Sequence, residues 1–218
     1  MHPMLFYAFA RLCARILIAV VARVHVHGAE RLRHPPPFIL ATNHLTSWDP
    51  PLIFSVVPRG VHITVLAADK WRKVLPILVV FNLMGAIWVK RGEVDRAALR
   101  QCVDALHRGS CIGMSPEGTR SRTGGLQPGR SGVAYLARKA NMPIMPVAVW
   151  GVETISPSLM RLRRADVHVS VGPMIHLEDG PARTEQLEAD TERIMRAIAG
   201  MLPASYRGVY AEKQEARG

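Results

Sequence analysis

Past residue 34, short apolar runs alternate with stretches of helical period. That alternation restricts the chain to βα units wound around a mostly parallel sheet. The runs occupy residues 38–42, 61–67, 86–90, 110–115, 144–150 and 166–171. Their β-branched and apolar content suits strands covered on both faces, which requires helices to cover them. Helical stretches fill the gaps at 50–57, 93–107, 131–141 and 183–201. The first begins on Asp49-Pro50, a capping residue followed by proline. The second carries Leu99, Val103 and Leu106 on one face and meets Gly109 at its end. The expected fold is α/β, a mostly parallel central sheet flanked by helices with an N-terminal amphipathic, membrane-associated helix. The expected division is a membrane-associated helical segment over 1–30, a single α/β domain over 31–210 and a charged tail over 211–218.

Lys and Arg outnumber Asp and Glu by 28 to 17, a net charge of +11, while 49% of residues are hydrophobic. A nucleic-acid binder accounts for the charge but not the apolar content, and a polytopic membrane protein does the reverse. A basic protein at an anionic membrane surface accounts for both. Residues 4–24 are apolar and long enough to span a bilayer, yet Arg11 and Arg15 sit in the middle. Two central arginines cost about 5–7 kcal/mol on insertion, against a return of about 3–6 kcal/mol from the Leu, Ile, Val and Phe residues. A helix lying flat is the better solution. Arg11 and Arg15 stack on one side and Leu5, Phe9, Ile16 and Val20 lie mostly opposite, with Ile18 blurring the pattern. The alternative is a helix packed on its own domain. No small-residue cleavage site follows, so no signal peptide is expected. Cys13, Cys102 and Cys111 share no CxxC spacing, so neither a disulfide framework nor a zinc site is expected.

Three segments carry polar chemistry to the ends of expected strands. His44, in NHLTSWD, directly follows the run FILAT, and Asp49 opens the next helix. The C-terminal ends of strands are where open α/β sheets hold ligands. Residues five apart on a continuous helix point in different directions, so His44 and Asp49 meet only if a turn intervenes. An aspartate returning to the imidazole fixes its tautomer and stabilises the imidazolium, as a general base requires. The alternative is that Asp49 caps its helix and His44 is an ordinary turn residue. The second segment is SPEGTRS, 115–121, after the run SCIGM. Gly118 permits close approach of an anion, Thr119 and Ser121 bring hydroxyls, and Arg120 offers a fork that matches phosphate oxygens. Glu117 either fixes that guanidinium or accepts from a substrate hydroxyl; an ordinary polar loop is the alternative. Lys90-Arg91 follows a third run. The chain has no Walker loop, Gly-x-Gly-x-x-Gly turn, HExxH helix or Gly-x-Ser-x-Gly elbow.

Four blocks in order, NHLTSWD, GAIWVKR at 85–91, SPEGTRS and MPIMPVAVWG at 142–151, resemble the lysophosphatidic acid acyltransferase (1-acylglycerol-3-phosphate acyltransferase) family. Lys70 in LAADKW and Arg130 in QPGRSG stand where relatives often carry lysines, and Ser115 stands where they usually carry Phe. The resemblance implies transfer of a fatty acyl group from acyl-CoA or acyl carrier protein to the sn-2 hydroxyl of 1-acyl-glycerol 3-phosphate, making phosphatidic acid for phospholipid synthesis. It implies that His44 is the general base, that Asp49 orients it, and that no acyl-enzyme forms. Lys70, Arg91, Glu117, Gly118, Thr119, Arg120 and Arg130 are then the substrate-binding residues. No metal and no cofactor beyond the acyl donor are expected. The partners implied are that thioester, the lysophosphatidic acid acceptor and membrane lipids, with no nucleic acid. The expected location is monotopic, on the cytoplasmic face of the cell membrane. Glycerol 3-phosphate, a lysophospholipid or a glycolipid is the alternative acceptor, and a non-catalytic membrane-binding module the alternative class. A sixteen-carbon chain represents burial on the order of 12 kcal/mol, so an apolar wall must receive it, and 74–88 is the candidate segment.

Overall fold

The computed structural model of the chain describes residues 3–33, 37–83, 85–90, 95–178 and 183–211. Its strands are β1 (Ala22–His27), β2 (Ile39–Thr42), β3 (Ile63–Ala68), β4 (Ile87–Val89), β5 (Cys111–Met114), β6 (Ile144–Trp150) and β7 (Ala165–Val171). They form one sheet in the order β1-β7-β6-β2-β5-β3-β4. The five strands from β6 to β4 are mutually parallel, β7 runs antiparallel to β6, and β1 runs parallel to β7. The α/β class and the mostly parallel sheet are those the apolar runs imply.

Helices cover both faces, because consecutive residues of a strand point to opposite sides. Phe38 and Leu40 enter a core shared with α1 (Pro3–Val21), α2 (Asp49–Val56) and α6 (Ile155–Met160). Ile39 and Ala41 enter a second core with α4 (Arg96–His107), α5 (Gly132–Ala140) and α7 (Thr184–Met201). A further helix, α3 (Leu75–Leu83), follows β3 after a single turn of 3-10 helix, Asp69–Lys73. The helical stretch expected from 93 is seen from Arg96, its first residues lying outside the described ones; Asp95 caps it by accepting from the Ala98 N–H at 2.9 Å.

Two expectations about the N-terminus need correction. Residues 1–30 are not one helical segment, since α1 stops at Val21 and β1 follows at once, paired with β7 from Ala22 to His27. The sequence ARVHVH alternates with period two, so Val24 and Val26 pack on the core while His25 and His27 face out. Arg11 and Arg15 also part company. Arg11 is 7% exposed and its Nη1 donates to the Pro58 carbonyl at 2.8 Å, whereas Arg15 is exposed. Burial lowers the Arg11 pKa from its usual value. Tyr7, Ile18 and Val21 share this inner face, and the Tyr7 hydroxyl accepts from the Ile63 N–H at 2.7 Å. The outer face presents Phe9, Leu12, Ile16 and Val20 to solvent. The helix thus packs on its domain and keeps an apolar outer stripe. Among the described residues no helix is long and apolar enough to cross a membrane.

Candidate active site

The site begins where β2 runs out. Asn43, almost fully buried, takes over from the strand ladder with its side chain: Nδ2 donates to the Val149 carbonyl and Oδ1 accepts from the Val149 N–H, both at 2.8 Å. This pins the end of β2 to β6 while the backbone turns, and His44 is the next residue. Its Nδ1 lies 2.6 Å from Asp49 Oδ2. The same carboxylate oxygen accepts the N–H groups of Leu45 at 2.7 Å and Thr46 at 2.9 Å. The Thr46 hydroxyl in turn accepts from the Trp48 N–H at 3.0 Å. A turn therefore intervenes between the two residues.

Asp49 does not cap its helix. The N-cap position belongs to Trp48, which makes no side-chain cap, and the Asp49 carboxylate points back over residues 44–46. An ionised carboxylate only accepts, so the proton of a neutral His44 ring sits on Nδ1 and the lone pair on Nε2. Asp49 is 3% exposed, and the three donors on its Oδ2, with the Thr46 hydroxyl 3.5 Å from Oδ1, are what make a buried carboxylate tolerable. The His44 ring retains 20% of its surface in solvent.

The loop after β5 secures His44 from the other side. Glu117 is 2% exposed; its Oε1 accepts the His44 N–H and its Oε2 accepts the Gln127 N–H, each at 3.0 Å. Four residues on, the Ser121 N–H donates to the His44 carbonyl at 2.7 Å. Both backbone polar groups of His44 are thus held by one loop. Burial pushes the Glu117 carboxyl above its usual range, and the N–H groups of Gln127 and His44 partly oppose that push. Glu117 was expected to face Arg120 or a substrate hydroxyl. Both its oxygens are instead occupied by the chain's own backbone, so it braces the base from beneath.

The cations lie nearer the surface. Gly118 adopts φ 70°, and a Cβ there would come within 3.0 Å of Arg130 Cδ, so Arg130 lies directly over this glycine. The Arg130 N–H donates to the Pro116 carbonyl at 2.7 Å. Arg120 is exposed and reaches across to the His44 loop, donating from Nη1 to Ser47 Oγ at 3.1 Å. Thr119 is exposed beside it. Lys70 sits in the turn after β3, at the same sheet edge but separated from β2 by β5, with its ammonium 5.5 Å from the Trp71 ring. Arg91 lies outside the described residues. Among those described, no group of three or more His, Cys, Asp or Glu side chains is placed to hold a metal ion.

Several positioning residues escaped the reading of the sequence. Asn43 had a signal, an amide between a buried strand and a histidine. The C-terminal turns had none. There, the Tyr206 carbonyl accepts the Leu126 N–H at 3.0 Å, the Leu126 carbonyl accepts the Val209 N–H at 3.1 Å, and the Tyr210 hydroxyl accepts the Gly129 N–H at 3.0 Å. Gly208, at φ 53°, makes that approach possible, because a Cβ would sit 2.1 Å from the Leu126 carbonyl oxygen. The loop 118–130 is held from behind by residues some eighty positions later.

The family model described as Acyltransferase matches residues 23–150. The chain is 26% identical over 174 residues to the chloroplastic 1-acyl-sn-glycerol-3-phosphate acyltransferase BAT2 of Brassica napus, covering 77% of this chain and 49% of that protein. It is 26% identical over 173 residues to the 1-acyl-sn-glycerol-3-phosphate acyltransferase of Borreliella burgdorferi, covering 78% of this chain and 68% of that one. It thus spans about half the length of the plant relative and about two thirds of the bacterial one. Among solved structures, the 1-acyl-sn-glycerophosphate (LPA) acyltransferase PlsC from Thermotoga maritima superposes with a TM-score of 0.70 at 22% identity, covering 97% of this chain and 80% of that one. At that identity the likeness is one of fold.

Proposed function

The chain belongs to the acyltransferase family, and from that membership we propose that it is a 1-acylglycerol-3-phosphate O-acyltransferase. It moves a fatty acyl group from a thioester, acyl-CoA or acyl carrier protein, to the sn-2 hydroxyl of 1-acyl-glycerol 3-phosphate and makes phosphatidic acid for phospholipid synthesis. The observation that carries this reading is the 2.6 Å contact between His44 Nδ1 and Asp49 Oδ2, which leaves Nε2 as the one basic nitrogen of the ring. Nε2 takes the proton of the acceptor hydroxyl as its oxygen attacks the thioester carbonyl. The tetrahedral species then collapses, the C–S bond breaks, and the imidazolium returns the proton to the departing thiolate. Asp49 stabilises that imidazolium, so no acyl-enzyme and no further cofactor is required.

Arg120 and Arg130, with Lys70 and Arg91, hold the acceptor phosphate, and Gly118 and Thr119 let the loop backbone approach it. Glu117 acts through His44 as a positioning residue. The enzyme lies flat on the cytoplasmic, anionic face of the membrane. Phe9, Leu12, Ile16 and Val20 of α1, together with Leu75 and Val79 of α3, are exposed apolar side chains that support this. Lys73, in the turn before α3, flanks them and contributes about 1 kcal/mol near an anionic leaflet.

The test is a panel of acceptors with palmitoyl-CoA, read as CoA release. Release should depend on added lysophosphatidic acid and fall about 10²–10⁴-fold in His44→Ala. Glycerol 3-phosphate, a lysophospholipid or a glycolipid as the preferred acceptor would replace the substrate assigned here. Release without any acceptor, or a His44→Ala variant with full activity, would overturn the transferase mechanism.

A further inference from the structure

A cavity of about 390 Å³ opens at the same sheet edge as His44, between the turn after β3, the end of β4 and the first turn of α4. Its size falls within the roughly 300–1,000 Å³ of small-molecule clefts. Asp69, Arg72, Trp88, Lys90, Asp95 and Arg96 line it. The two carboxylates are already engaged. Asp69 binds Arg72 at 2.9 Å, and Asp95 accepts the N–H groups of Ala98 at 2.9 Å and Lys90 at 3.2 Å. Lys90 and Arg96 are exposed, and they supply the positive charge of the opening. The Arg72 guanidinium stands 5.2 Å from the centre of the Trp88 ring, so a planar cation and an indole form one wall.

We propose that this cavity binds the phosphorylated adenosine end of coenzyme A, which makes acyl-CoA rather than an acyl carrier protein the donor. The assignment rests on the acyltransferase reading above. A ligand suited to this wall combines a flat ring with phosphates. A glycerophosphate has no ring, an acyl chain has neither, and a carrier protein presents its prosthetic arm through a single phosphodiester with no base attached. Geometry adds a second argument. β4 is three places from β2 in the sheet, which at about 4.8 Å per strand puts the cavity about 14 Å from the strand that carries His44. The pantetheine arm is what separates the nucleotide of CoA from its thioester. A nucleotide held at β4 therefore leaves the thioester to reach the base, along the C-terminal edge where such sheets hold ligands.

The experiment has a kinetic and a binding arm, each on the full chain and on Lys90→Gln/Arg96→Gln. Both side chains are exposed, so the double variant keeps the fold, and its thermal midpoint checks this. In the kinetic arm, palmitoyl-CoA, palmitoyl-3′-dephospho-CoA and palmitoyl-pantetheine are compared as donors. The double variant should lose about tenfold of the wild-type preference, in kcat/KM, for palmitoyl-CoA over palmitoyl-pantetheine. In the binding arm, calorimetry with free CoA should show about the same tenfold weakening, while binding to phosphatidylglycerol vesicles stays as in wild type. Equal CoA affinity in both proteins overturns the assignment, as does a loss confined to the vesicles, which would make the cavity a headgroup site. CoA binding that depends on Lys90 and Arg96, in a chain that transfers no acyl group from any thioester, would uphold the cavity and overturn the enzymatic reading instead.

Discussion

Asp49 is 3% exposed and gathers three donors on one oxygen, whereas Phe9, Leu12, Ile16 and Val20 on α1 each leave more than half of their surface in solvent. Around His44 every position is specified by a bond: ring to Asp49, N–H to Glu117, carbonyl to Ser121. Along the outer face of α1 only apolar area and helical spacing are specified. A base that must meet a hydroxyl within hydrogen-bond reach needs a preorganised frame. A surface that lies in a fluid interface needs area and no particular partner. The two regions should therefore answer mutation in opposite ways.

The largest effect is expected from Asp49→Ala. It removes the partner of the imidazolium and strands the N–H groups of Leu45 and Thr46, so acyl transfer should fall about 10²–10⁴-fold. The protein should also lose about 2–3 kcal/mol of stability by urea unfolding. Undiminished stability would mean that these groups are solvated after all, and the contrast with α1 would blur. Next comes Phe9→Ser/Ile16→Ser/Val20→Ser. With about 1–2 kcal/mol lost per side chain from partial burial in lipid, binding to anionic liposomes should weaken by at least about a hundredfold. The urea midpoint should scarcely move, and a large drop in it would show that this face packs on protein.

A smaller change tests the brace beneath the base. Glu117→Gln exchanges one acceptor for an amide group facing the Gln127 or His44 N–H, at a cost of about 1–3 kcal/mol. Because Glu117 acts through His44, kcat should fall while the KM for acceptor holds; a rise in KM alone would return Glu117 to the phosphate site. The smallest effect is a footprint. Burial pushes the thiols of Cys102 to about 12 and Cys111 to about 11, while Cys13 is exposed on α1. Iodoacetamide at pH 8 should modify Cys13 alone in the folded protein, by mass spectrometry, because only thiolates react. Liposomes should slow that reaction if the outer face of α1 enters the membrane, and an unchanged rate would move the contact elsewhere.

The strands from β2 to β6 were legible because each is a short, mostly apolar run bounded by turns, as strands covered on both faces require, and β7 was legible although it alternates buried valines with the more open Asp166, His168 and Ser170. β1 was not. Its six residues are half polar, continue directly from an apolar helix, and become a strand through pairing with β7, 143 residues away in sequence. His44 and Asp49 were legible as a pair that needed a turn, and the turn is present. The direction of Glu117 was hidden, because a carboxylate beside an arginine in sequence says nothing about which backbone amides lie behind it. Arg11 and Arg15 show the same limit. Both occupy one side of an amphipathic pattern, yet the Pro58 carbonyl draws only Arg11 inward.

Residue periodicity and the order of polar segments determined the α/β class, the strand ends that carry His44 and the 115–121 loop, and the apolar character of α1. These are local properties, set by which face of an element must leave water. The tertiary structure alone decided that Asp49 serves the imidazole and not its helix, that Glu117 looks inward, that Tyr206 and Tyr210 hold the loop, and that α1 has one packed and one open face. Those outcomes depend on hydrogen-bond partners distant in sequence. A buried donor or acceptor must find such a partner wherever the fold happens to put one.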